Sequence, residues 1–253
     1  MKKCIGLLLL LALLMSVLAG CGEAEAESAT GITVSAEQEN ITEPTALSDF
    51  QMAQSAYADI CAAYELVSQM GVDLHNVWRV GAYETDSANR GQYVEYMTPH
   101  LNHLTKDEFV AGVARTLAWN AGGKKWDDLS DEEKEYYIKY AKSEFYIKRE
   151  HFQYFCMSSV LHGYYLTGEA DEIKALLKTA KTQLKNLNET YPEYSCYTAL
   201  KEFYKSVDAY FELCYSDGDG GAGISFNQFK ELRGAYIKEV QDHMSELGFE
   251  FED

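Results

Sequence analysis

Residues 48–84 read SDFQMAQSAYADICAAYELVSQMGVDLHNVWRVGAYE. Within them Phe50, Ala53, Tyr57, Ile60, Tyr64, Val67, Gly71, Leu74, Trp78 and Gly81 recur at alternating steps of three and four. That spacing places all ten on one side of an α-helix. Ser48 can accept a hydrogen bond from the first helical turn and so act as N-cap. The pattern continues through Gly71, which predicts one helix over 48–84, kinked there or, alternatively, broken there. Gly71 and Gly81 on the inner side would let a neighbouring helix approach closely.

Outward from this stretch the same helical spacing repeats. A polar turn over 84–87 leads to a weaker helix around 87–103, with Tyr93, Val94, Met97 and Leu101 inward and Pro99 interrupting its second half. Thr105 with Glu108, and Ser130 with Glu133, have the Ser/Thr-x-x-Glu spacing of a capping box. The first box starts a short helix with Phe109, Val113, Leu117 and Ala118 inward, stopped at Gly122-Gly123. The second is expected to start a long helix over 130–166, along which Ile138, Ala141, Phe145, Phe152, Phe155, Ser159 and His162 share one side. Further helices are expected over 169–190, 195–215 and 225–247, with a glycine-rich loop at 216–223. Nothing alternates with the period of a strand. The expectation is an all-α fold, an antiparallel helical bundle or an irregular helical array.

The N-terminus carries a different signal. Lys2 and Lys3 precede an apolar run over about 5–17, closed by Leu18-Ala19-Gly20-Cys21. The run is too short for a membrane span, which needs roughly 20 residues. Together these residues resemble a bacterial lipoprotein signal peptide with its lipobox. The resemblance implies that residues 1–20 are removed and that Cys21 is acylated, by palmitate among other chains. It also implies a protein lipid-anchored to the cell membrane on its extracytoplasmic face, with the lipid bilayer as its first partner. Residues 21–46, rich in Glu, Ala, Ser and Thr and free of aromatic residues, read as a disordered acidic tether, leaving 47–253 as the helical domain. The second half, with GYYLTGEADEIKALL and an acidic Phe-rich end, is similar to acidic lipoproteins of Firmicutes that carry no assigned activity. That likeness implies location rather than chemistry.

The chain carries a net charge of −18, with 40 Asp and Glu against 22 Lys and Arg. Nucleic acid and anionic lipid surfaces both require basic protein faces, so both are excluded as partners. After Cys21 there are four cysteines, Cys61, Cys156, Cys196 and Cys214, with no Cys-x-x-Cys pair. Cys196 and Cys214 lie on one expected helix, too far apart to join. The pairings Cys61–Cys156 and Cys156–Cys214 stay open. The expectation is that all four are buried thiols.

Four places have the residue types of a site. Asp217 and Asp219 occupy positions 1 and 3 of a twelve-residue calcium loop, with Ser225 at position 9. Gly221 stands at position 5, Ala222 where glycine is required, and Gln228 where a bidentate glutamate is required. Any calcium affinity would therefore be weak, of millimolar order at best. The expectation is a flexible link in which Ser225 caps the next helix. His100 and His103, near Asp107 and Glu108, have a spacing that suits a metal but lie in a link between helices, where histidines are usually solvated. His162, close in sequence to Cys156 and Ser159, could form a nucleophile–base pair. No strand–turn–helix elbow frames it, so a core histidine with a hydrogen-bond partner is expected. Lys124-Lys125-Trp126 reads as a turn with a packed tryptophan.

The 19 tyrosines, clustered at 93/96, 136/137/140 and 191/194/197, suit a contact surface or sugar binding. The functional expectation is a non-enzymatic, membrane-anchored binding domain for a protein, peptide or glycan. A hydrolase of envelope polymers and a weakly calcium-modulated binding module are the alternatives.

Overall fold

The structure is a computed structural model and describes residues 47–84, 92–215 and 224–251. The leader, Cys21, the tether and the 84–87 turn beyond Glu84 lie outside the described residues, as do Asp217 and Asp219. Among the described residues the secondary structure is helical, and the fold is all-α.

Helix α1, Asp49–Tyr83, runs unbroken for 35 residues, about 52 Å at 1.5 Å per residue. It starts where Ser48 was expected to cap it. The Gln51 amide donates to Ser48 Oγ at 3.2 Å, and the Ser48 amide donates back to Gln51 Oε1 at 3.0 Å. Eight of the ten stripe residues are buried, Tyr64 is half-buried, and Phe50, in the first turn, is 45 % exposed, contrary to expectation. Ala56, Ala63, Met70, Asp73, Val77 and Val80 form a second inward row, because α1 is covered from more than one side.

The remaining elements are α2 (Tyr93–Met97), a 3₁₀ turn (Thr98–His100), α3 (Lys106–Gly122), a 3₁₀ turn (Trp126–Asp128), α4 (Asp131–Ala141), α5 (Arg149–Leu166), α6 (Glu169–Thr190), α7 (Tyr197–Cys214) and α8 (Phe226–Phe251). Helices α5 and α6 lie end to end along α1, both antiparallel to it. Cys156 meets Gly81, Tyr164 meets Asp73, and Gln183 Nε2 donates to Ser55 Oγ at 2.8 Å. The corner between them is Gly168, at φ 86°, where a side chain would be strained. Helix α7 runs parallel to α1, with Tyr57 on Phe203 and Gly71 against Tyr210. Helix α8 returns antiparallel, with Trp78 on Phe229 and Tyr57 on Phe251. Thus α1, α6, α7 and α8 form an up-down-up-down bundle. Both glycines of α1 serve as expected, each lying under a neighbouring side chain.

Two expected helices are corrected. The 130–166 helix is two, α4 and α5, separated by residues 142–148. Both pack on α3, which one straight rod could not do. The chain turns because Phe145 leaves the helical path to pack at 5.8 Å from Tyr93 and 5.9 Å from Phe155. Of the expected 87–103 helix, residues 92–103 are described, and they form α2 and a 3₁₀ turn rather than one helix, since Pro99 removes a backbone donor there.

Cys156, Cys196 and Cys214 carry free thiols, so neither open disulfide pairing forms. Burial pushes the Cys156 thiol up to about 12 and the Cys214 thiol higher still, which keeps both protonated and unreactive.

Candidate functional site

Helices α3 and α5 touch backbone to backbone. A methyl group on Gly112 would collide with the Ser159 carbonyl and stand 2.6 Å from the Gly163 nitrogen. Glycine at 112 is therefore what permits the crossing. Beside it opens a cleft of about 230 Å³. Its α3 wall is Arg115, Thr116 and Trp119; its α5 wall is Tyr154, Ser158, Leu161, His162 and Tyr165. Gly123, at φ 66°, turns the chain after α3 so that Lys124, Lys125 and Trp126 close one end. Tyr215, just past α7, closes another part of the rim.

Among the described residues the lining contains three cations and neither Asp nor Glu, in a chain of net charge −18. Five of the lining residues are Trp or Tyr. The Arg115 guanidinium carbon lies over Tyr165, 3.7 Å from the ring centroid, a cation–π contact that holds the group in place. Tyr165 is held in turn by its hydroxyl, which donates to Asp127 at 3.4 Å. Lys124 pairs with Glu133 at 2.7 Å, whereas Arg115 and Lys125 join no ion pair among the described residues. Trp126 is buried beneath the turn, as expected, and Trp119 stands 48 % exposed at the mouth.

His162 faces this cleft rather than a nucleophile. Its Nδ1 lies 2.9 Å from Thr116 Oγ1, which lies equally 2.9 Å from the Gly112 carbonyl; both contacts are hydrogen bonds only when the hydroxyl donates to that carbonyl. Thr116 must therefore accept from Nδ1–H, which leaves Nε2 as a lone-pair acceptor. Burial, reinforced by the Arg115 charge, lowers the imidazole to about 4, so it is neutral at physiological pH. Ser159 donates to the Phe155 carbonyl, and Cys156 lies against Gly81 of α1. The Cys–His and Ser–His pairs that the spacing allowed are not assembled.

The other sequence candidates disperse. His100 packs on Tyr96, while His103 stacks on Tyr164 and sits 3.3 Å from the Glu169 carboxylate. No group of three or more His, Cys, Asp or Glu able to hold a metal occurs among the described residues. Of the calcium-loop positions, Gln228 is described, and its side-chain oxygen accepts from the Ser225 amide at 2.8 Å and hydroxyl at 3.0 Å. Gln228 thus closes a capping box at the start of α8, with Ser225 capping as expected.

One charged residue of the core has no counterpart among the sequence candidates. Asp73 is fully buried on α1. Its carboxylate accepts from the amides of Asn102 (2.6 Å), His103 (3.2 Å) and Leu104 (2.9 Å), and from the Tyr164 hydroxyl (3.1 Å). The signal for it was an aspartate inside an apolar stripe, which must be paired if buried. Its acceptor sites are filled, so it locks the 102–104 turn onto α1 and α5 and is not free for a ligand. Most of the tyrosines are likewise committed to packing: Tyr57, Tyr93, Tyr164 and Tyr210 are core residues. Tyr136, Tyr140 and Tyr146 remain exposed on and after α4.

Comparison of the chain with protein-family models, with curated proteins and with solved structures finds no match.

Proposed function

We propose that this chain is a membrane-held, extracytoplasmic binding protein whose ligand is a small organic anion seated in the α3–α5 cleft. The observation that carries the binding half is the lining: three cations, five aromatic rings and, among the described residues, no carboxylate, in a chain where acids outnumber bases 40 to 22. Random placement of charge on such a chain would surround a cleft with acids. The aromatic walls supply contact area at low entropy cost, and the cations supply selection by charge. The reading requires that small anions reach Trp119 in preference to small cations, and fluorescence quenching by simple salts measures that preference directly.

The anchoring half rests on the N-terminal sequence alone. Cys21, once acylated, would hold the domain on a tether of about 25 residues, giving a reach of roughly 25–30 Å. No described helix is long and apolar enough to cross a membrane. Cys21→Ala is expected to abolish palmitate labelling in the bacterial host and to shift the protein from the membrane pellet to the soluble fraction. Undiminished labelling of that variant would refute Cys21 as the attachment point.

A further inference from the structure

We infer that the α3–α5 cleft selects a carboxylated sugar ring, a uronate, above neutral sugars, aromatic carboxylates and phosphate. The inference rests on the binding reading above and narrows it by three features.

The first is the kind of anion. No described cleft residue belongs to the first turn of an α-helix; Arg115, Thr116 and Trp119 come from the later turns of α3, and Tyr215 follows the end of α7. Phosphate sites typically draw on free backbone amides at helix N-termini, where the helix dipole favours negative charge. What remains is the planar fork of Arg115, held by Tyr165, and a carboxylate is the planar partner that such a fork matches in two parallel hydrogen bonds.

The second is the need for hydroxyl donors. His162 Nε2 is a lone pair with no partner among the described residues, since Nδ1 carries the proton. An aromatic carboxylate such as benzoate has nothing to donate to it. A sugar ring carries hydroxyls on several sides of its carboxylate and can satisfy both His162 and the anion site at once. The third is the shape of the walls. Trp119 offers an exposed flat face at the mouth, and flat aromatic faces suit the C–H face of a pyranose.

The test is calorimetric titration of the full-length protein with D-glucuronate, D-glucose, benzoate and inorganic phosphate, at one ionic strength. Glucuronate is expected to bind at least tenfold more tightly than each of the other three. Trp119→Ala, which removes an exposed ring and leaves the core untouched, is expected to weaken glucuronate at least fivefold, and Lys125→Ala at least twofold. Equal binding of glucose and glucuronate, tighter binding of benzoate or phosphate, no detectable glucuronate binding, or an unchanged affinity in Trp119→Ala would each overturn the inference. The binding reading fails separately: if anions do not prefer Trp119 over cations in quenching, the cleft itself is not an anion site. If they do and glucuronate fails, only the ligand assignment falls.

Discussion

Asp73→Ala is expected to destabilise the domain by about 3–5 kcal/mol, because it strips the partner from a buried network rather than from one contact. Three backbone amides and one phenol converge on this carboxylate. With alanine the Leu104 amide and the Tyr164 hydroxyl, whose bonds to Asp73 are buried, would remain away from water and unpaired, each at a cost of roughly 1–3 kcal/mol before relaxation. The 102–104 turn would have to open to hydrate them, and that turn leads directly into the Thr105 capping box that starts α3. Loss of stability and loss of order at the start of α3 should therefore come together. Asp73→Asn retains the shape and one acceptor oxygen, so its loss should be smaller, about 1–3 kcal/mol. Urea unfolding of the three proteins measures both. A loss below about 1 kcal/mol for alanine would show that the turn is held by something other than this carboxylate.

Gly112→Ala is expected to cost at least about 2 kcal/mol, although alanine is the better helix former by about 1 kcal/mol. The sign is set by what the new methyl meets. Its neighbours are the Ser159 carbonyl and the Gly163 nitrogen, both backbone, so neither can rotate aside as a side-chain tip would. Helix α3 must move off α5, and overpacking of this kind costs typically about 1–3 kcal/mol or more. Gly234 is the control. It lies exposed in α8, and a methyl there meets nothing within 4 Å. Gly234→Ala should stabilise by about 0.5–1 kcal/mol through helix propensity alone. Opposite shifts in melting temperature for the two substitutions are the predicted result. A stabilised Gly112→Ala would mean that α3 and α5 do not touch as closely as described.

The parts of the fold that were legible in the sequence are those written in local spacing. The stripe from Ala53 to Gly81 predicted α1, and the boxes at Ser48, Thr105 and Ser130 start helices as expected. The break between α4 and α5 was not legible. Ile138, Ala141 and Phe145 keep helical spacing across it, and only the non-local contacts of Phe145 with Tyr93 and Phe155 reveal the turn. The second inward row of α1 was hidden for a similar reason, since small residues such as Ala56 and Ala63 become core only when a second layer covers them.

The cleft was less legible still. Arg115 and His162 are 47 positions apart, and Lys124-Lys125-Trp126 in isolation is a turn. The close crossing of α3 and α5 at Gly112 brings them together, and no local pattern encodes that crossing. The spacing placed His162 correctly as a hydrogen-bonded histidine, yet its partner, Thr116, lies on α3 and turns its free nitrogen toward the cleft.

An anion-attracting cleft on a strongly acidic protein is open to a direct test, the quenching of Trp119 by iodide and by caesium. The full-length protein and its Trp119→Phe variant are titrated at equal, moderate ionic strength, and the difference in emission isolates Trp119 from Trp78 and Trp126. Screening over about 8–10 Å leaves the neighbouring Arg115, Lys124 and Lys125 to set the local potential against the net charge of −18. Iodide is expected to quench the Trp119 component more strongly than caesium. Stronger quenching by caesium, which net charge alone demands, would contradict the presence of such a cleft.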